Sequence, residues 1–118
     1  MRAATLIATA TLALAVPAGA ALAHHGWSSY DADKTVSRST KVVESRWGSP
    51  HGSLVIAVNG KRWDVVLAPV ARMEARGLSR DDIAVGKRVT VVGYPRRDGT
   101  AEIRAERIIV GAKTVELR

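Results

Sequence analysis

The sequence predicts a mainly β protein, a small antiparallel β-barrel that carries one short helix. Five or six short segments of alternating apolar and polar residues run from Val36 to the end of the chain. The pair Asn59-Gly60 separates two of them with the spacing of a tight hairpin. One helix-permissive stretch precedes the fourth strand. Because one short helix would not cover the edges of a flat open sheet, we expect a closed or nearly closed barrel of the OB type.

The first 23 residues have the pattern of a cleaved Sec-type signal peptide. Arg2 is the only charge before an apolar stretch from Leu6 to Val16, and Ala21-Leu22-Ala23 is a small-x-small site of the kind that signal peptidase accepts. An uncleaved membrane anchor is the alternative interpretation, since the stretch approaches the length of a membrane span. We expect cleavage, export to the periplasm or the medium, and no membrane span in the mature chain.

Cleavage after Ala23 gives three parts: a signal peptide at 1–23, an N-terminal arm at 24–35, and an OB-like β-barrel domain at 36–118. Cleavage after Ala21 would instead begin the mature chain at Leu22. The arm shows no periodicity and is rich in Ser, Gly and Asp, so it is predicted to lack regular structure.

The chain has 118 residues, a formal charge of +7 and no cysteine. The fold must therefore rest on packing alone, even in a compartment that permits disulfides. Lysines and arginines are spread along the chain without a block, which argues against a dedicated basic patch. A basic exported protein meets anionic surfaces or acidic envelope proteins, and we expect no cytosolic nucleic acid among its partners.

The first half of the barrel is predicted in some detail. A long, bent strand should run from Val36 through Trp47. The hairpin SLVIAV-NG-KRWDVVL then places Ile56 opposite Trp63 and Leu54 opposite Val65, on the face that should line the core.

The second half begins with a short helix. Pro69 suits the start of the helix VARMEAR, and Gly77 suits its end. Ser79 followed by Asp82 is predicted to cap one further helical turn. The strands RVTVVGY, AEIRAERIIV and TVEL follow, and Gly93 should mark a bend where the barrel turns its corner.

Four stretches in this order resemble a family of small exported bacterial proteins grouped as a domain of unknown function: AHHGW, VVESRWGSPH, VGKRVTVVGYPRRDG and AERI. The chain departs from that pattern at Ser49, where the family usually has Asn, at Gly26, where Ser is common, and at Thr40, where a mid-strand Gly is usual. The resemblance implies an OB-like exported β-domain and brings no established activity.

The three histidines of the chain predict a metal site. Cleavage after Ala23 would leave His24 with both an α-amine and an imidazole, and His25 adds a second imidazole. Nitrogen donors of this kind suit Cu(II) first, with zinc or nickel less favoured. The third histidine, His51, follows Pro50, which stiffens its loop. Asp31 or Asp33 would be a charged neighbour of the site. A solvated arm and a structural His51 are the alternative interpretation.

Two other functions are open. An OB-type binding module would take a polyanion or a glycan, with Trp47, Tyr94, Arg96 and Arg97 as ligand-binding residues. A structural or interaction module would instead offer its surface to another envelope protein. No nucleophile, acid–base set or phosphate-binding loop is recognisable, so we do not expect an enzyme.

Overall fold

The computed structural model describes residues 26–118. The predicted signal peptide, His24 and His25 lie outside the described residues. Six strands, one α-helix and two 3₁₀ turns follow in chain order: a 3₁₀ turn at Trp27–Ser29, β1 at Val36–Arg46, β2 at Ser53–Val58, β3 at Lys61–Val66, α1 at Val70–Ala75, a 3₁₀ turn at Asp81–Ile83, β4 at Arg88–Pro95, β5 at Glu102–Val110 and β6 at Lys113–Glu116.

The strands form one closed barrel with an added edge strand. The sheet order is β3-β2-β1-β4-β5-β6, and a further parallel pairing between β3 and β5 closes the first five strands on themselves. β6 pairs with β5 outside this ring. The predicted small β-barrel with one short helix before the fourth strand is therefore confirmed.

The long first strand is shared between two neighbours. Residues 36–41 pair with β4, and the rest of β1 pairs with β2. The register shifts between Val42 and Glu44. A bulge of this kind sharpens the local twist, which lets one strand turn from one neighbour to the other.

The β2–β3 hairpin has the predicted register. Ile56 pairs with Trp63 and Leu54 with Val65. Asn59 and Gly60 both have positive φ, as a type I′ turn requires. Ile56, Leu54 and Val65 are buried in the core cluster, and Trp63 packs against it. The register thus directs one face of the hairpin into the barrel.

The helix also follows the predicted signals. α1 begins directly after Pro69 and ends before Gly77, whose φ of +90° favours glycine. Met73 is fully buried in the core cluster. Beyond the helix, the backbone N–H of Ser79 donates to Asp82 Oδ2, and the N–H of Asp82 donates to Ser79 Oγ. These reciprocal bonds cap the second 3₁₀ turn.

Gly93 marks the predicted irregularity in β4. The β4–β5 register shifts between Val92 and Gly93, and Gly93 pairs with Ala105. A Cβ at position 93 would overlap the carbonyl oxygen of Arg104 and lie 2.8 Å from the Cα of Ala105. Only glycine allows the two strands this close approach.

We expect Gly93→Ala to lower the free energy of unfolding by about 3 kcal/mol, because backbone atoms must move to admit the methyl group. Urea denaturation followed by circular dichroism measures this change. Gly48→Ala is the matched control, since a Cβ there meets nothing within 4 Å. Equal stability of the two variants would contradict the close-approach argument.

Candidate functional site

The arm from residue 26 to residue 34 lies against the outside of the barrel. Tyr30 forms an isolated antiparallel bridge with Arg96. The N–H of Asp31 donates to the carbonyl of Pro95 at 2.8 Å, and the N–H of Arg97 donates to the carbonyl of Ser29 at 3.0 Å. Backbone bonds therefore fix this part of the arm to the end of β4, although its sequence is not periodic.

Tyr30 anchors the arm by its side chain. It is 1% exposed, and its hydroxyl donates to Glu102 Oε2 at 2.6 Å. Arg96 Nη1 donates to the same carboxylate oxygen at 3.1 Å. Burial, reinforced by the bond to Glu102, raises the pKa of Tyr30, which therefore stays protonated and donating.

Trp27, a residue of the arm, packs against arginines of the barrel. The guanidinium carbon of Arg104 is 4.3 Å from the centre of the indole, and that of Arg118 is 4.6 Å from it. Tyr94 packs edge-on against the same ring. Two cations on one indole make a cation–π arrangement that ties the arm to β5 and to the end of the chain.

Four arginines gather around this point, and we call them the arginine cluster: Arg72, Arg76, Arg104 and Arg118. Arg72 Nη1 donates to the carbonyl of Leu117 at 3.2 Å, and Arg76 Nη1 donates to those of Glu116 and Arg118. No aspartate or glutamate within residues 26–118 forms an ion pair with any of the four. The even spacing of basic residues along the sequence argued against a patch, but the fold brings these four together.

Arg104 is the most constrained member of the cluster. Its Nε and Nη1 atoms are buried and have no hydrogen-bond partner among the described residues. Burial lowers the pKa of Arg104, and the charges of Arg118 and Arg72 lower it further. The stacked rings of Trp27 and Tyr30 take the place of hydrogen-bond acceptors.

His51 lies on the outer surface of the same part of the barrel. A Cβ on Gly52 would meet the buried side chains of Met73 and Leu67, so Gly52 faces inward and His51, next to it, faces outward. The ring Nδ1 is 3.1 Å from the carbonyl oxygen of Gly52. Because a carbonyl only accepts, Nδ1 donates in this bond.

Trp47 lies at the meeting point of three shallow surface grooves, which we call the Trp47 grooves. Their residues, besides Trp47 itself, are Glu74, Gly77, Leu78, Ser79 and Arg80 in the first, Ser45, Arg46, Arg80, Asp81 and Ala84 in the second, and Gly48, Ser49, Pro50, Pro69, Val70 and Ala71 in the third. The first two grooves combine the aromatic ring with charges of both signs, and the third is mainly apolar.

The residues predicted to bind a polyanion or glycan do not share one surface. Tyr94 donates its hydroxyl to Glu106, and Arg97 donates to the carbonyl of Ser28, on the side of the barrel that holds the arm. Arg96 bonds to Glu102 on that side. Trp47 follows the far end of β1, because Val36 at the start of that strand is the residue that pairs with Gly93, next to Tyr94. Three of the four residues therefore help to hold the arm, and Trp47 forms a separate surface.

Within residues 26–118, no group of three or more His, Asp, Glu or Cys side chains is placed to hold a metal ion. Asp31 lies 3.8 Å from Lys34 Nζ and 3.9 Å from Arg97 Nη1. The backbone N–H of Asp33 donates to Asp31 Oδ1. His51 is the one predicted metal ligand that falls within the described part of the chain.

Comparison with known families identifies the family of the chain. A family of unknown function, DUF6152, matches residues 11–104. The protein belongs to this family. The predicted membership of an uncharacterised domain family is thereby confirmed. No curated protein matches the chain. In the described part of this DUF6152 protein, no helix has both the length and the apolar character to cross a membrane.

Sequence reasoning missed the residues that hold the arm of this DUF6152 protein. Alternation along β5 already places Arg104 outward, between the inward-facing Ile103 and Ala105. Nothing near Arg104 in the sequence indicates that Trp27 and Tyr30 cover it. Their pairing with the barrel joins segments more than 70 residues apart, beyond the range of local patterns.

The two tyrosine–carboxylate bonds of the protein make a matched pair. We expect Tyr30→Phe to lower the free energy of unfolding by about 1.5–2 kcal/mol, because a buried hydroxyl that bonds to a charged group is lost. Tyr94→Phe removes the more exposed bond to Glu106 and should change stability by less than about 0.5 kcal/mol. Chemical denaturation measures both, and a reversed order would contradict the anchoring role of Tyr30.

Proposed function

We propose that the protein is an exported metal-binding module that holds a transition metal, copper first, between the histidines of its mature N terminus and His51. The proposal combines the signal-peptide pattern, the nitrogen-rich sequence that follows it, and the position of the docked arm. The position of the arm carries most weight, because it decides whether residues 24 and 25 can reach the third histidine.

The register of the barrel supports this reach. Arg104 pairs with Val66, and Val66 pairs with Ser53, two residues beyond His51. At ordinary strand spacing, the backbones of Arg104 and His51 are about 12 Å apart on one outer face. Trp27 covers Arg104 on that face.

The remaining gap is short enough for the tether. Only Gly26 and His25 separate His24 from Trp27, and the three links between His24 and Trp27 span at most about 11 Å of extended chain. An imidazole ring extends further from the backbone. Residues 24 and 25 can therefore approach the loop of His51 without loss of the contacts that dock the arm.

The donor set suits the proposed metals. The α-amine and imidazole of a terminal histidine close a chelate ring on one ion, and neutral imidazole is a preferred ligand of Cu(II), Ni(II) and zinc. The bond from His51 Nδ1 to the carbonyl of Gly52 resembles the outer-shell bonds that orient metal-bound histidines. Protons compete for the same nitrogens, so affinity should fall as the pH drops.

Native export followed by copper titration tests the proposal. The full gene is expressed with its own leader, the mass of the exported protein identifies the cleavage site, and Cu(II) is titrated against a competing chelator. We expect His51→Ala to weaken copper binding by at least about tenfold. One additional serine in front of His24 should weaken it similarly, because the α-amine then leaves the chelate ring.

Ser49→Ala is the matched control, since Ser49 is an exposed neighbour in the same loop and offers no nitrogen ligand. It should bind copper as the unchanged protein does. Absence of tight uptake, or uptake that His51→Ala leaves unchanged, would overturn the three-histidine site. A mass that retains residues 1–23 would overturn the proposed cleavage.

The Trp47 grooves favour a second candidate function, the binding of a glycan chain. An exposed part of an aromatic ring stacks on the apolar face of a sugar, and charged groups of both signs donate to and accept from its hydroxyls. Two arginines, Arg46 and Arg80, and two acidic residues, Glu74 and Asp81, line the first two grooves, so the formal charges of the lining balance. This balance favours a neutral glycan over a polyanion.

Chitohexaose titration followed by tryptophan fluorescence tests this second function. We expect saturable quenching that Trp47→Ala abolishes and that His51→Ala leaves intact. Binding that persists in Trp47→Ala, or no binding to chitohexaose and cellohexaose, would contradict the glycan function. The His51 variant separates this outcome from that of the metal site.

A further inference from the structure

The arginine cluster brings four guanidiniums together at one end of the barrel. Arg72, Arg76, Arg104 and Arg118 form no ion pair with aspartate or glutamate within residues 26–118. Glu102 attracts Arg104, and Arg76 donates to the terminal oxygen of Arg118. Four cations outnumber these acidic groups, so the cluster keeps a net positive charge.

The fold holds these charges in place. Arg72 and Arg76 donate to backbone carbonyls of residues 116–118, while Arg104 and Arg118 stack on Trp27. The arginines come from a helix, a strand and the end of the chain, so tertiary contacts set their spacing. Fixed guanidiniums lose little conformational freedom when an anion binds, which favours binding.

The guanidiniums of the cluster repel one another. Burial lowers the pKa of Arg104, the charges of Arg118 and Arg72 lower it further, and Glu102 opposes them. The Nε and Nη1 atoms of Arg104 are buried and have no acceptor among the described residues. An anionic partner would relieve the repulsion between the guanidiniums.

We propose that the arginine cluster docks the protein on an anionic membrane surface through lipid phosphate groups. Arg72, Arg76 and Arg118 are exposed and present an open surface. A single phosphate ion would be held weakly there, whereas a membrane offers many headgroups at once. The indole of Trp27 amid the cluster is also a group that prefers the membrane interface.

A membrane fits the cluster better than an acidic peptide does, because the indole of Trp27 lies between two of its guanidiniums and indoles prefer the membrane interface. This proposal does not rest on the metal site.

Vesicle sedimentation with the exported protein tests the docking. Vesicles of phosphatidylcholine with 30% phosphatidylglycerol are compared with pure phosphatidylcholine vesicles, in the presence of a chelator so that no metal contributes. We expect binding to the anionic vesicles at low salt and its loss at high salt. Each arginine near an anionic surface contributes roughly a fivefold factor, so Arg72→Gln with Arg76→Gln should lower the partition coefficient about 25-fold.

Lys87→Gln with Arg88→Gln is the matched control. It removes the same formal charge at two exposed positions. Arg88 begins β4 and Lys87 precedes it, whereas Tyr94, which packs against Trp27, lies near the other end of that strand. Thermal unfolding confirms that both double variants fold. The docking is overturned if the control loses as much binding as the cluster variant, if anionic vesicles are not bound, or if polyglutamate or inorganic phosphate binds the cluster while vesicles do not.

Discussion

The candidate sites that lie on the arm side of the barrel are positioned by the parallel pairing of β3 with β5. It joins residues 64–66 to residues 102–104, and the N–H of Asp64 donates to the carbonyl of Ala101 where the pairing begins. This closure sets Val66 beside Arg104 and, through the hairpin, Ser53 beside Val66. Without it, the loop of His51 and the surface that the arm covers would have no fixed relation. On the other side of β5, the close approach at Gly93 brings β4 against that strand and so helps to close the barrel.

The arm then depends on one partly buried carboxylate. Glu102 lies at the start of β5, where the closing pair begins, and accepts from both Tyr30 and Arg96. Its charge is compensated by Arg96, so the Tyr30 hydroxyl can be buried without loss of its hydrogen bond. The arm is thus fixed by the same strand end that closes the barrel. The positions of Trp27 and of the residues before it follow from this anchor.

The barrel was predictable because its signals are local. Asn59-Gly60 defined a hairpin and its register, Pro69 and Gly77 bounded a helix, and Gly93 marked an irregular strand. The arm was not predictable, because its docking depends on Tyr30 meeting Glu102 across the whole length of the barrel domain. The sequence pattern indicated an arm without a regular element and left open whether it is ordered.

The candidate sites also differ in whether local sequence patterns predict them. Alternation from Gly52 is enough to direct His51 outward, and the histidine pattern is visible in the sequence itself. The arginine cluster was not predictable, because charge spacing along a chain reports only neighbours in sequence. Arg72 and Arg76 share a helix face, but Arg104 and Arg118 join them only through β5 and the end of β6. Tyr94, Arg96 and Arg97 are adjacent in sequence to one another, and the fold uses them to hold the arm.

The proximity of the arginine cluster to the proposed metal ligands has an electrostatic consequence. The guanidiniums near residue 27 oppose the approach of a divalent cation, so the nitrogen donors must supply affinity against that repulsion. An anionic surface that neutralises the cluster would remove part of the opposition. If both proposals hold, membrane docking strengthens metal binding, and by thermodynamic linkage the bound cation strengthens docking by the same factor. This coupling would be greatest at low ionic strength, because salt screens the charges of the cluster whether or not a membrane is present.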